Sequence, residues 1–377
     1  RSVHRHSGAW VSMKILYVTT IGLTMTFFKD LVKELIDKGN TVDIACNENI
    51  RSVEQCYHEW GCIVHQIDCT RSPFNTGNIK AVKQLRKIAV DGRYDIVHCH
   101  TPIAGACTRL AMRPLRKNGL RVIYTAHGFH FYKGAPFLNW LIYYPVEKIC
   151  AHFTDALFTI NHEDYDFAKK KIKVKQIEYV PGVGVDIDKF KNIVVDKSAK
   201  RKEFGIPEDV FLVLSVGELN ENKNHQLVIR ALAEINNPKI HYAIAGVGPL
   251  KEYLLNLAKE LDVSDRVHLL GYINDVPEIY KIADLNAFPS LREGLGLAAI
   301  EGLSAGLPVV CLDNRGTREY ADINGVNICT DVTPKSMAET ISHIINEEKI
   351  FIQDDFDSIE RFSIETVNKK MFSVYNL

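Results

Sequence analysis

No stretch of the 377 residues is apolar for anything near the roughly 20 positions that a membrane-spanning helix requires. The opening twelve residues, RSVHRHSGAWVS, hold no apolar core of the kind a secretory signal carries. Met13 begins a clean buried strand, so residues 1–12 read as an unstructured leader or an expression remnant. No two cysteines stand in a C-x-x-C pair. The nine are an odd number scattered through apolar segments, which reads as free, buried thiols in a reducing cytoplasm. Short internal repeats and low-complexity segments are missing as well. The net charge is zero, and nothing in that balance calls for a nucleic-acid partner.

What is present is 46% hydrophobic and 24% charged residues, the profile of a soluble globular protein long enough for two domains. The charge is unevenly spread. Through Gly182 there are 25 Lys and Arg against 16 Asp and Glu; the remainder holds 21 against 30. Such asymmetry is a cue for contact of the first half with an anionic surface, or else a chance imbalance of solvated faces.

MKILYVTT, TVDIAC, CIVHQI, DIVHCH, RVIYTAH and DALFTI are short, nearly continuous apolar runs, as in strands buried on both faces of a parallel sheet. Helical periodicity fills the gaps, as from Phe27 to Lys38, closed by Gly39. The pattern restarts after Gly182 with FLVLSVG, HYAIAG, RVHLLG, LNAFPS and LPVVCL, separated by helices such as His225 to Ile235. Alternating strands and helices predict two open, doubly wound α/β domains with a hinge near residue 183. Ligands in such sheets bind at the carboxyl ends of strands, so two facing domains imply a cleft.

The most informative stretch is PSLREGLGLAAIEGLSAGLP, from Pro289 to Pro308. A strand ends, a glycine-bearing loop follows, and a small-residue helix begins near Gly296. Amides at that helix start, with the helix dipole, suit a diphosphate. Gly294 and Gly296 permit close backbone approach. Glu293 and Glu301 flank the turn. A carboxylate repels phosphate, so these two are suited to hydroxyls, Glu301 to a ribose and Glu293 to a transferred sugar. Either glutamate alone would read as a cap or an ion-paired side chain.

This string resembles the signature of the retaining GT-B glycosyltransferases of family four, the glycosyl transferases of group 1. The resemblance runs from Met13 to the C-terminus and is most specific between Ala283 and Glu319. It implies an α/β architecture of two Rossmann-like domains facing a cleft. Residues 13–182 would be the acceptor domain and 183–358 the nucleotide-sugar donor domain. Residues 359–377 would form a C-terminal helix packing back on the first domain.

The resemblance also assigns residues. Gly217 and Lys223 fall in the loop where the family grips the diphosphate with an arginine and a lysine. The arginine position is Glu218, a departure that leaves the grip to Lys223 and helix amides, helped by Arg292 or Arg315. Gly246, Tyr272 and Ile273 match segments lining the nucleotide, with the base near the last two. Leu295 and Leu297 join Gly294 and Gly296 along the donor. His127 matches an active-site histidine beside the donor sugar, and Gly22 a glycine loop facing the diphosphate. Phe129, His130 and Lys133 lie in a segment similar to enzymes of capsular and other surface polysaccharides, on the acceptor side.

Three signals read otherwise. Asp186-Ile-Asp188 has a metal-binding form but sits in the hinge as a cap. His98 and His100 share one strand face without the further ligands that a zinc site needs. Asn139 to Phe153 is a helix suited either to a membrane surface or to packing on its own domain.

The implied reaction moves a hexose or N-acetylhexosamine from a UDP-sugar to an undecaprenyl-diphosphate-linked acceptor, with retention and with no metal or other cofactor. The setting is the cytoplasm, with peripheral contact at an anionic leaflet. An epimerase of UDP-N-acetylglucosamine and a non-catalytic nucleotide-sugar binder are the alternatives.

Overall fold

The computed structural model describes residues 12–346 and 356–377. The leader expected at the N-terminus lies, but for Ser12, outside them. The chain forms two compact units, one of Arg1–Val183 with Asn368–Leu377 and one of Gly184–Val367.

The first unit is a seven-stranded parallel sheet. Its strands are β1 (Lys14–Ile21), β2 (Thr41–Asn47), β3 (Val64–Gln66), β4 (Ile96–His100), β5 (Arg121–Ala126), β6 (Ala156–Thr159) and β7 (Gln176–Tyr179). They are arranged β3-β2-β1-β4-β5-β6-β7. The order reverses between β1 and β4, which pair in register from Ile15 with Ile96 to Val18 with Cys99. In β1 the residues from Ile15 to Ile21 are all buried, because helices cover both sheet faces. The chain's last residues also belong here. Arg121 donates to the carbonyls of Tyr375 (3.1 Å) and Val374 (2.6 Å), and Asn368 donates to Glu34 (2.7 Å).

The second unit holds six parallel strands: β8 (Phe211–Val216), β9 (Ile240–Ala245), β10 (Val267–Gly271), β11 (Leu285–Phe288), β12 (Val309–Leu312) and β13 (Val326–Cys329). Their order, β10-β9-β8-β11-β12-β13, repeats the plan of the first sheet, with the reversal between β8 and β11. The helix His225–Ile235 covers this sheet as its periodicity predicts. Two differences from the sequence reading concern the edges. Strands β7 and β13 were not expected: QIEY and most of VNIC are only half-buried, so they lack the apolar run that marks interior strands. The helix expected from Phe27 begins at Lys29, after a 3₁₀ segment over Gly22–Phe28.

Candidate active site

Reversal of strand order leaves an opening at the carboxyl end of a sheet, where two loops diverge. In the second unit these loops follow β8 and β11, and hydrogen bonds clamp them together. Leu291 N–H donates to the Asn222 carbonyl (2.8 Å) and Asn222 Nδ2 to the Arg292 carbonyl (2.9 Å). Beside them Lys223 Nζ meets Glu293 Oε1 at 2.7 Å, and lies 5.2 Å from the Phe288 ring centre. The two side chains keep 25% and 15% of their surface exposed, so the ammonium is fixed yet reachable. Partly exposed pairs contribute only about 1 kcal/mol or less to stability, which makes the pair's geometry more informative than its energy. A lysine ammonium has three donors, so one carboxylate partner leaves capacity for an anion.

Gly296 caps the helix Leu297–Ser304 in the left-handed region, φ 95°. A Cβ there would lie 2.7 Å from the Phe288 ring and 2.9 Å from the Tyr320 hydroxyl, so glycine is required twice over. The first amides of that helix have no partner within it and supply donors for a negatively charged group. Gly246 serves a different constraint. A Cβ at this position would stand 1.9 Å from the Gly217 carbonyl oxygen, where the ends of β8 and β9 touch.

One turn into the helix, Glu301 is half-buried, and the Tyr280 hydroxyl lies 3.0 Å from its Oε2. Burial pushes its carboxyl above the ordinary range, opposed by the Tyr280 hydroxyl and by the charges of Lys223 and Lys189. Glu218, in the position expected to hold arginine, is exposed and accepts from Asn220 Nδ2 at 3.0 Å.

The first unit's reversal, at β1 and β4, has another chemistry. Thr20 and Thr101 hydroxyls meet at 2.7 Å across it. Thr101 holds φ 67°, a conformation costly for a β-branched residue by about 1–3 kcal/mol. His100, the last residue of β4, shares a proton with His127: Nδ1 to Nε2 is 3.1 Å. His98 is bonded through Nδ1 to the Tyr375 hydroxyl (2.5 Å) and through Nε2 to Thr125 (2.8 Å). The Tyr375 hydroxyl in turn meets that of Tyr17 at 2.6 Å. Burial holds His127 down to about 4 and His98 down to about 3, and drives His100 well below its ordinary value. All three imidazoles are therefore neutral at pH 7. His100 Nε2 is buried with no partner among the described residues. An orphaned lone pair costs less than an orphaned N–H, so His100 donates from Nδ1 and His127 carries its proton on Nδ1.

The proteins that the chain resembles cover both units. Residues 196–356 match the model of glycosyl transferases group 1, and residues 14–161 that of glycosyl transferase 4-like proteins. EpsD of Bacillus subtilis strain 168, named as a glycosyltransferase, is 41% identical over 67% of this chain and 68% of its own length. The chain is a family-four glycosyltransferase of group 1. A relative in Escherichia coli is 32% identical over 63% of each chain. It is named UDP-Gal:alpha-D-GlcNAc-diphosphoundecaprenol alpha-1,3-galactosyltransferase. Among solved structures, Anabaena HepE in complex with UDP superposes with a TM-score of 0.80 at 19% identity, covering 97% of this chain and all of that one. That likeness establishes the GT-B fold.

Within this glycosyltransferase, the structure brings Gly217, Lys223, Gly246, Glu293, Gly294, Leu295, Gly296 and Leu297 to one end of the second sheet, with Glu301 a turn further. Gly217 would place a Cβ 3.4 Å from the Lys223 stem. Tyr272 is 74% exposed beyond β10, with Ile273 half-buried beside it, and no contact ties either to the Lys223–Glu293 pair. Gly22 packs its backbone on the segment 51–53, donating to the Arg51 carbonyl at 2.8 Å.

On the expected acceptor side, Phe129 is a core residue. It stacks on Phe131 at 4.8 Å and its amide donates to Asp164 (3.0 Å). It forms one wall of a small recess, with about 20 Å³ of free space, that His130 and Tyr143 also line, while Lys133 is exposed outside it. Asp186 caps the helix Ile187–Asn192 by accepting from Lys189 N–H at 3.0 Å, as its hinge position implied. His100 and Tyr375 were not singled out as site residues. The H-x-H alternation placed two imidazoles on one face, 4.2 Å apart, but a tyrosine contributed from the chain's end leaves no local signal.

Proposed function

We propose that this enzyme transfers a hexose or N-acetylhexosamine from a UDP-sugar, with retention, to a saccharide carried on undecaprenyl diphosphate. The setting is bacterial surface-polysaccharide synthesis at the cytoplasmic face of the membrane. The observation that carries the reading is the Lys223–Glu293 contact at a glycine-framed helix start. It sets one cation and a row of amides beside one carboxylate, which is what a diphosphate joined to a polyhydroxyl sugar needs. The named donor and acceptor of the Escherichia coli relative, and the UDP bound by HepE, supply the chemical class.

In the proposed step the bond between the anomeric carbon and the diphosphate oxygen breaks, and the acceptor oxygen bonds the same face of that carbon. The acceptor proton passes to the departing phosphate oxygen. Charge grows on the diphosphate, where Lys223 and the helix amides stabilise it. Glu293 orients the sugar hydroxyls and Glu301 the ribose. His127, assigned to the donor sugar by family resemblance, acts as a neutral hydrogen-bonding group that does not repel positive charge developing at the anomeric carbon. The reading uses no metal ion and no other cofactor.

The test is product analysis with UDP-glucose, UDP-galactose and their N-acetyl counterparts, with and without an undecaprenyl-diphosphate-linked N-acetylglucosamine acceptor. One glycolipid of retained anomeric configuration, formed equally in EDTA, is expected. Interconversion of free UDP-sugars without acceptor would mark an epimerase instead. Binding without turnover on any acceptor would mark a nucleotide-sugar binder.

A further inference from the structure

The helix Phe137–Ala151 is apolar on both sides, and only one side is covered. Its inner face is fixed in the first unit. Trp140 and Tyr144 pack on Phe131 with ring centres 5.7 and 5.3 Å away, and Trp140 Nε1 donates to the Tyr132 carbonyl at 3.3 Å. Glu147 turns inward to a two-pronged pair with buried Arg109, at 2.5 and 3.0 Å. The outer face carries Phe137, Leu138, Leu141, Pro145, Lys148 and Ile149, which helical spacing gathers into one arc. Phe137 is 81% exposed, Leu138 60%, Leu141 61% and Ile149 58%. A cluster of that kind in water calls for a covering partner.

The charges around it say which partner. From Ile96 to Thr154 the sequence holds seven Lys and Arg and a single acid, Glu147, whose charge the Arg109 pair hides. Arg113, Lys117, Lys133 and Lys148 are exposed in the same span. The helix His162–Lys171, whose Phe167 packs on Trp140 and Tyr144, adds Glu163 and Asp166 but also Lys169, Lys170 and Lys171. The surround stays net cationic, and an apolar arc within it complements an anionic bilayer. It disfavours a second copy of the chain, which would set like charges together. No described helix is long and apolar enough to cross a membrane, so the contact would be peripheral.

We infer that the outer face of Phe137–Ala151 seats in the interfacial layer of an anionic bilayer and holds the recess lined by Tyr143, His130 and Phe129 at the lipid surface. This rests on the lipid-linked acceptor proposed above. It would present a lipid-borne saccharide to the enzyme at the plane where its carrier lies.

Co-sedimentation of the full chain with vesicles of phosphatidylcholine, alone or with about one-third phosphatidylglycerol, tests it. Binding should require the anionic lipid and fall as salt rises. The Leu138→Gln/Leu141→Gln and Lys117→Glu/Lys148→Glu variants should each bind those vesicles at least about tenfold more weakly, with melting temperature and UDP affinity unchanged. Equal vesicle binding by wild type and both variants would overturn the inference. So would a wild-type dimer in light scattering that Leu138→Gln/Leu141→Gln dissolves, with no vesicle binding. Wild-type protein that binds anionic vesicles but transfers no sugar would leave this surface standing and remove the transferase assignment of the acceptor.

Discussion

The two units share one strand order and one reversal point, yet the chemistry set at that point is opposite. In the second, a lysine and a glutamate meet at 2.7 Å, partly open to solvent, beside the start of a helix. In the first, three neutral imidazoles, two tyrosines and three threonines form a largely buried polar cluster without a charge. The halves' net charges run the other way, because the basic first half keeps its exposed cations on its outer surface. What a Rossmann-like unit binds is decided by a few side chains at the reversal, and overall charge bears on what its outside meets.

That contrast can be broken from either side. The largest effect should come from Glu293→Gln, which keeps the size of the side chain and removes the charge opposite Lys223. Turnover should fall by about a hundredfold or more while the protein melts within a few degrees of wild type. Near-normal turnover would show that the charged site does not orient the reacting sugar.

In the first unit, Tyr375→Phe leaves His98 Nδ1 and the Tyr17 hydroxyl without their shared partner. A loss of about 1–3 kcal/mol in chemical denaturation is expected. No loss would mean that water replaces the hydroxyl and that the cluster does not secure the chain's end.

The smallest effect is in pH. His98 and His127 are held near 3 and 4, against about 6.5 in an unfolded chain. Their folded values are depressed, so their contribution is complete above about pH 6.5 and is lost as pH falls toward 4. His225 and His268 in the second unit are also held near 4 by burial, so wild-type stability should decline across the whole molecule. The His100→Phe difference isolates the cluster: that variant should show a shallower decline between pH 7 and 5. An identical slope would remove the cluster's role in it.

Much of this was legible in sequence. Apolar runs marked the interior strands because both faces of each sheet are covered. The string from Pro289 to Pro308 marked the helix start, because Gly296 answers a backbone constraint that no other residue meets. The edge strands β7 and β13 were not legible, since half-buried strands carry no such run. The partnership of Lys223 with Glu293 joins residues on different loops, and that of Tyr375 with His98 joins residues 277 positions apart. Only the fold places them together. That Phe129 stacks into the core on Phe131 was likewise not legible, because a strand-end aromatic reads the same whether it lies outward or packs inward.

The most direct test of the charged site is calorimetric titration of UDP into wild type and Lys223→Ala. One charge-assisted hydrogen bond to phosphate contributes about 1.5–3 kcal/mol, so the variant should bind UDP roughly ten- to a hundredfold more weakly. An unchanged affinity would contradict the assignment of the diphosphate to Lys223 and, with it, the placing of the donor at the reversal between β8 and β11.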